Sequence, residues 1–274
     1  MEMNGILGLA SLLRESGDKV LNGQSKLSLT VALLRSLNEA FAIIVDSDEG
    51  CSNSFHVINT NSTDVDIVNN IQFLHDFMQK VVGLKVCNSA ASDDCDKDTL
   101  DICKFRNLKY LEIRKVPVHL LHGIQSVRAQ LQSVVCIRCL QRLEDLLLDC
   151  GADHSSGFVW SDLREAVFSY NGLDLLDRSL EFVPWLQILD LSHNRISEAG
   201  AIECLPNLKY LNMSYNLLES VPVINKDACR KLQVLVVKNN YIEDLSGKFL
   251  FIVNYYHFFC ELENIEGGML AKDV

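Results

Sequence analysis

The chain has 274 residues, of which 48% are hydrophobic and 22% are charged. This composition excludes wholesale disorder and allows a sizeable buried core. The formal net charge of −11, with Lys and Arg clustered at most in pairs, disfavours nucleic acid and anionic lipid as partners.

The cellular setting is predicted from three absences in the sequence. No apolar run reaches the roughly 18 residues that a membrane-spanning helix needs. The N-terminus lacks the basic segment and the cleavage site of a secretory signal peptide. We therefore expect a cytoplasmic chain without a transmembrane segment, in which the ten cysteines stay reduced.

The N-terminal region is predicted to be helical. Apolar residues recur at helical spacing in two segments of residues 4–45, which a polar stretch at 17–28 separates, and a third amphipathic segment covers residues 66–84. We interpret residues 1–87 as a helical capping region that covers the open end of the next domain. Residues 88–107 then form an acidic loop and a lead-in.

A leucine-rich period dominates residues 108–247. The phrase Leu-x-x-Leu-x-Leu-x-x-Asn-x-Leu starts at four places, separated by steps of 23, 22 and 24 residues, and these strongest copies cover residues 163–246. Two weaker copies precede them, and residues 141–156 between the two groups are predicted to form an extra helix and loop. The six predicted repeats begin at Leu108, Leu131, Leu163, Leu186, Leu208 and Leu232.

Each repeat is expected to form one coil of an α/β leucine-rich-repeat solenoid. The leucines at positions four and six of the phrase point inward from a short strand, and the asparagine at position nine bonds backbone groups at the turn. The stacked strands form one parallel concave sheet, which the N-terminal helical region precedes. Residues 248–274 break the period with Phe, Tyr, Ile and Val and are interpreted as an aberrant, uncapped tail.

A calcium site in the acidic loop is not supported by the sequence. Asp94, Asp96 and Asp98 match the opening of an EF-hand loop. Thr99, however, stands where that loop needs glycine, and Phe105 stands where it needs the bidentate glutamate.

Other chemistry is equally unsupported. Cys136 and Cys139 have the spacing of a zinc or redox pair, but they occupy inward positions of the repeat and are interpreted as core residues. His119 and His122 are interpreted as structural. No phosphate-binding loop or nucleophile motif is found. We expect no enzyme, no metal and no cofactor.

The concave face is the predicted binding surface. Outward positions three, five, seven and eight of successive repeats form columns, and exposed tyrosines beside polar and apolar neighbours are typical of protein interfaces. The candidate protein-binding residues in these columns are Tyr110, Arg114, Tyr170, Asp190, His193, Tyr210, Asn212, Tyr215 and Lys238.

Specific phrases give a family resemblance. Residues 12–21 (LLRESGDKVL) are followed by Gly23, Gln24 and Ser25, and residues 168–171 (FSYN) precede residues 191–194 (LSHN) at the repeat distance. With these phrases, residues 11–246 resemble the N-terminal part of the serine/threonine-protein kinase 11-interacting protein family. The resemblance implies a non-catalytic cytoplasmic scaffold that associates with a serine/threonine kinase and influences where the kinase resides. The alternative is a leucine-rich-repeat subunit that regulates a phosphatase.

Overall fold

The computed structural model describes residues 3–49, 62–88, 99–155, 157–220, 222 and 228–242. The strands of these residues are β1 (Leu27–Thr30), β2 (Gly83–Cys87), β3 (Leu100–Asp101), β4 (Tyr110–Arg114), β5 (Leu121–His122), β6 (Ser133–Ile137), β7 (Glu165–Val167), β8 (Ile188–Asp190), β9 (Tyr210–Asn212) and β10 (Val234–Val236). The helices are α1 (Met3–Ser16), α2 (Asp18–Leu21), α3 (Val31–Glu49), α4 (Ser62–Met78), α5 (Ile124–Val127) and α6 (Glu144–Leu147). Short 3-10 turns lie at Val118–Leu120, Gly151–Asp153, Arg178–Phe182 and Gly200–Cys204.

One parallel sheet organises this part of the chain. It has eight strands in the order β1-β2-β4-β6-β7-β8-β9-β10, so each strand pairs with the strand of the next coil. The predicted leucine-rich-repeat solenoid with a parallel sheet is confirmed, and each of the six predicted repeats contributes one strand. On the opposite side of the coils, β3 and β5 pair in a small parallel sheet of their own.

The strand register places one inward column of apolar residues along the solenoid. Side chains alternate between the two faces of a strand, so residues paired across neighbouring strands share a face. The position-four residues are in register and buried, and they are Leu27, Leu84, Leu111, Val134, Ala166, Leu189, Leu211 and Leu235. The core is therefore one continuous stack of apolar layers.

The N-terminal region differs from the expectation of a purely helical cap. Helices are present, and α1 packs against α3 and α4. However, β1 and β2 from the same region add two strands to the sheet, and α4 ends at Met78 although the third helix is predicted to reach residue 84. Val81 and Leu84 belong to the segment predicted as a helix, but together with Val86 they also match positions one, four and six of the repeat. All three are buried in the sheet's core.

The extra segment between the two groups of repeats is held by a buried tryptophan. Helix α6 and the 3-10 turn Gly151–Asp153 lie within the predicted insertion at residues 141–156. The fully buried Trp160 donates a hydrogen bond from Nε1 to the carbonyl of Leu147 at 3.0 Å. The indole therefore ties the end of α6 to the entry of the next coil.

Asparagines at position nine connect successive coils, and we call Asn171, Asn194, Asn216 and Asn240 the asparagine ladder. Buried Asn194 donates through Nδ2 to the carbonyls of Phe168 at 2.9 Å and Leu191 at 2.8 Å. Its Oδ1 accepts from the amides of Asn171 at 3.0 Å and Leu173 at 3.1 Å. Each amide side chain thus satisfies buried backbone groups in its own coil and in the preceding one.

Position eight of each of the six predicted repeats adopts a left-handed backbone conformation. The φ angles lie between 55° and 60° at Lys115, Arg138, Tyr170, His193, Tyr215 and Asn239. A residue with a side chain is disfavoured there by about 1–2 kcal/mol. The conformation lets the backbone continue its pairing with the next coil, since the amide of His193 donates to the carbonyl of Ser214 at 2.9 Å. The side chain of the following residue, Asn194, is then buried.

The asparagine ladder predicts a stability loss in the variant Asn194→Leu. Leucine has a similar size but leaves the backbone groups of Phe168, Leu191 and Leu173 without these partners. We expect the free energy of unfolding to fall by about 1–3 kcal/mol, measured by urea denaturation. The matched control is Asn212→Leu, which removes a half-buried asparagine from the concave face. This variant is expected to lose less free energy of unfolding. An equal loss in both variants would contradict this role.

Candidate functional site

Three aromatic side chains stack along one edge of the concave sheet. The ring centroids of Tyr170 and His193 lie 4.0 Å apart at 10°, and those of His193 and Tyr215 lie 4.1 Å apart at 9°. We call these three residues the aromatic ladder. All three occupy position eight, so the left-handed backbone orients the rings alike in successive coils. Tyr170 is 46% exposed and Tyr215 is 45% exposed, so their faces and edges remain accessible to a partner.

A groove of about 460 Å³ lies beside the aromatic ladder. Its walls combine ring faces, two valines and several hydrogen-bonding side chains, which suits a peptide or protein surface. The residues that line it are Ser192, His193, Tyr210, Asn212, Ser214, Tyr215, Val234, Val236 and Lys238. Five of the nine predicted site residues, His193, Tyr210, Asn212, Tyr215 and Lys238, therefore line one groove.

The polar side chains of this surface are fixed by their own backbone. Asp190 Oδ1 accepts a hydrogen bond from the Ser192 amide at 2.8 Å, and Asn212 Oδ1 accepts one from the Ser214 amide at 3.1 Å. Burial and the nearby Asp190 carboxylate raise the pKa of Tyr210, although Lys238 opposes the shift.

The other end of the concave face carries a cluster of charges around Glu112. The buried Glu112 carboxylate forms ion pairs with Lys26 Nζ at 2.7 Å, Lys85 Nζ at 3.3 Å and Arg114 Nε at 2.6 Å. Burial raises the pKa of Glu112, but the hydrogen bonds of Lys26 and Arg114 and the charges of Lys26 and Lys85 outweigh it. They lower the pKa from 4.5 to about 2. Three cations around one carboxylate give this cluster a net positive charge.

The structure separates the predicted residues into two groups. Tyr170 and Asp190 lie next to the groove residues, whereas Tyr110 and Arg114 lie on β4, with β6 and β7 between them and β8. The hydroxyl of Tyr110 donates to Gln132 Oε1 at 3.4 Å. The sequence analysis missed Lys26 and Lys85 as site residues, because Lys26 lies in the predicted polar stretch at 17–28 and Lys85 directly follows the segment predicted as a third helix. The signal that locates Lys85 is the Leu84-x-Val86 pair around it.

Cys136 and Cys139 are core residues, as the repeat register predicts. Both are buried, and Cys139 Sγ contacts the carbonyl of Ile137 at 2.9 Å and that of Ile113 at 3.1 Å. Burial raises the pKa of both thiols. They are therefore protonated and enclosed by the solenoid.

No helix in the described part of the chain combines the length and the apolar character needed to cross a membrane.

Comparison with known proteins finds two family matches. Residues 2–90 match the family described as LKB1 serine/threonine kinase interacting protein 1. Residues 184–226 match a pair of leucine-rich repeats. The first match covers α1 to β2 and the second covers the region of β8 and β9.

Curated relatives match along most of the chain. The chain is 38% identical to the human serine/threonine-protein kinase 11-interacting protein over 240 residues, which are 87% of this chain and 22% of that protein. It is 34% identical to the protein of the same name from Gallus gallus over 243 residues, 88% of this chain and 22% of the relative. The chain thus spans about a fifth of the length of these relatives.

Among solved structures, bacterial repeat proteins match part of the chain. Internalin C2 of Listeria monocytogenes has 16% identity and a TM-score of 0.44, covering 64% of this chain and 69% of that one. A leucine-rich-repeat protein of Leptospira interrogans has 17% identity and a TM-score of 0.46, covering 76% of this chain and 53% of that one.

The Glu112 cluster predicts a pH-dependent contribution to stability. Because the folded pKa lies below 4.5, the ionised carboxylate stabilises the fold above pH 4.5, and this contribution is lost as the pH falls towards 2. Glu112→Gln is therefore expected to lower the free energy of unfolding at pH 7. Near pH 2 the free energies of unfolding of the variant and the parent chain should become similar. Urea titrations at several pH values measure both.

The control for this prediction is Lys26→Met alone and combined with Glu112→Gln. The two changes remove opposite sides of one interaction, so their effects at pH 7 should be less than additive. Strict additivity, or a constant difference between Glu112→Gln and the parent from pH 7 to pH 2, would contradict the assignment.

Proposed function

This chain is homologous over most of its length to the serine/threonine-protein kinase 11-interacting proteins, and from that relationship we propose that it is a non-catalytic scaffold for a serine/threonine kinase. The proposed partner surface is the concave face, centred on the aromatic ladder and the groove. The relatives are named for an interaction with serine/threonine-protein kinase 11. We propose the same kinase as the partner of this chain.

The aromatic ladder is the observation that carries the proposal. Three successive coils have an aromatic ring at a left-handed position, where an aromatic side chain does not reduce the backbone strain. Asn239 occupies the same position in the next coil, so a small polar residue satisfies the backbone equally well. The left-handed backbone is common to all six repeats, so it is the three stacked rings that distinguish these coils. Half-exposed tyrosines also supply contact area with few rotatable bonds.

The groove favours a protein partner over a small substrate. It is open along the sheet and lined by fixed hydrogen-bonding groups beside Val234 and Val236. Its polar residues include neither a nucleophile with an adjacent base nor a set of metal ligands. A surface of rings, valines and oriented amides matches the interior of a protein interface. Binding without catalysis is therefore the role that these side chains support.

The charge distribution gives the partner an orientation. Lys85, Arg114, Lys115 and Arg138 line successive coils at the N-terminal end of the face, and the last three are exposed. The whole chain nevertheless carries a formal charge of −11. A partner that lies along the face should place acidic groups against this end and apolar or aromatic groups against the aromatic ladder.

The proposed consequence for the cell is a change in where the bound kinase resides or signals in the cytoplasm. A scaffold acts by holding its partner at a high local concentration and does not alter the partner's chemistry. Capture of a phosphatase in place of the kinase would favour the alternative role of a phosphatase-regulating subunit.

The proposal is tested with the double variant Tyr170→Asn and Tyr215→Asn. Asparagine is the residue that the chain itself carries at the equivalent position 239, so the melting temperature should change little. We expect the dissociation constant for purified serine/threonine-protein kinase 11 to rise about 10-fold or more, measured by biolayer interferometry with the immobilised chain.

Tyr241→Ser is the matched control for the double variant. Tyr241 is 65% exposed on the same solenoid but does not line the groove, so its replacement should leave the affinity unchanged. Kinase binding that survives the double variant, or that Tyr241→Ser weakens equally, would move the interface away from the aromatic ladder.

A further inference from the structure

A second cluster of reactive side chains lies on the opposite side of the coils, at the small sheet of β3 and β5. The parallel register places Asp101 directly opposite His122. Cys103 follows β3 by two residues, and its backbone amide donates to Asp101 Oδ1 at 2.7 Å. The strand pair therefore brings an aspartate, a cysteine and a histidine to one place from positions about 20 residues apart in sequence.

The distances within this cluster fit the ligands of one metal ion. His122 Nδ1 lies 3.6 Å from Cys103 Sγ and 3.6 Å from Asp101 Oδ1. One ligand atom from each of the three residues lies within 4.8 Å of the others. In a tetrahedral zinc site with bonds of about 2.0–2.3 Å, neighbouring ligand atoms are roughly 3.3–3.6 Å apart. Two of the three spacings are thus already close to those of a bound ion.

The distal side of the histidine is supported as in many zinc sites. His122 Nε2 lies 3.4 Å from Asp153 Oδ1, and the Asp153 side chain is only 5% exposed. Asp153 is itself fixed, because its two oxygens accept hydrogen bonds from the amides of Gly123 and Gln125 at 2.7 Å each. A carboxylate in this place selects the tautomer that leaves Nδ1 free to bind a metal.

The backbone leaves room for the thiol next to the histidine. Gly123 has a φ of +99°, and a Cβ atom there would lie 2.7 Å from Cys103 Sγ. Any larger residue would displace the sulfur from His122. The site is also accessible from solvent, since the side chains of His122 and Asp101 are 51% and 40% exposed. A water molecule can therefore complete a four-coordinate shell.

We propose that Asp101, Cys103 and His122 bind a single zinc ion, with Asp153 as the positioning residue behind His122. One carboxylate, one thiol and one imidazole are ligand types that bind zinc. Coordination replaces the thiol proton, which leaves to solvent, and changes no oxidation state. The ion would join the lead-in at β3 to the coil of β5 and strengthen the back of the solenoid. This proposal is independent of the kinase interaction.

The proposal departs from the interpretation of His122 as a structural residue and from the expectation of no metal. In the sequence, Cys103 and His122 stand 19 residues apart without a recognised zinc spacing. Only the pairing of β3 with β5, outside the repeat phrase, brings them together.

The test uses the metal ion alone as the probe. The full chain is stripped with a chelator and titrated with Co²⁺, whose tetrahedral thiolate complexes absorb visibly. We expect one equivalent of Co²⁺ to produce the sulfur-to-cobalt charge-transfer band, Zn²⁺ to displace it, and Zn²⁺ to raise the melting temperature. Cys103→Ser should remove the band, and Asp153→Asn should weaken the affinity about 10-fold to 100-fold while keeping the band.

Two matched controls distinguish this site from the chain's other thiols and imidazoles. Cys204→Ser changes a half-buried cysteine elsewhere, and His119→Gln changes an exposed histidine three residues from His122. Both variants should retain the parent spectrum and affinity. Circular dichroism confirms that each variant is folded. A parent chain without the charge-transfer band, or a band that persists in Cys103→Ser, would overturn the proposal.

Discussion

The buried asparagine amide between coils is the interaction on which the rest of the solenoid depends. A coil that turns sharply after a three-residue strand leaves backbone donors and acceptors inside the stack, where water cannot reach them. Asn171, Asn194, Asn216 and Asn240 each satisfy several of these groups at once. The amide has both a donor and an acceptor end, which is why this residue type suits the position.

The coils without an asparagine at position nine differ in the length of their strands. Val116 stands at position nine after β4, and the strands β2, β4 and β6 have five residues each. The strands β7 to β10 of the asparagine-containing coils have three residues each. In both kinds of coil the backbone pairing reaches position eight, since the amide of Lys115 donates to the carbonyl of Ile137 and that of His193 to the carbonyl of Ser214, each at 2.9 Å. The repeat stays regular through both regions, and the sheet remains continuous.

This regularity creates the surface features. Stacked strands lie about 4.8 Å apart, so rings at one repeat position meet face to face when the backbone orients them alike. The left-handed residue at position eight provides that orientation for Tyr170, His193 and Tyr215. The same backbone conformation occurs at the non-aromatic residues Lys115, Arg138 and Asn239. The same stacking gathers Lys26, Lys85 and Arg114 around Glu112 at the other end. The regular stacking of the coils thus determines which side chains meet on the concave face.

The sequence predicted those parts that repeat and missed those that do not. Leu189 and Asn194 belong to a phrase with a fixed period, and the columns derived from it place five site residues in one groove. Strand β2 was missed because Val81 and Leu84 continue the apolar spacing of helix α4, and Ser89 stands at position nine in place of asparagine. The meeting of Asp101, Cys103 and His122 depends on a strand pair outside the phrase. The predicted tail at 248–274, the end of the repeats at 243–247 and most of the acidic loop lie outside the described residues.

The most direct test of the account is hydroxyl-radical footprinting of the chain with and without the kinase, read by mass spectrometry. The account predicts that Tyr170, His193 and Tyr215 lose reactivity in the complex, while the exposed Trp185 and Tyr241 react as before. Protection confined to α1 and α4 or to the opposite side of the coils, with the aromatic ladder still fully reactive, would contradict the central claim that the stacked coils present the partner surface.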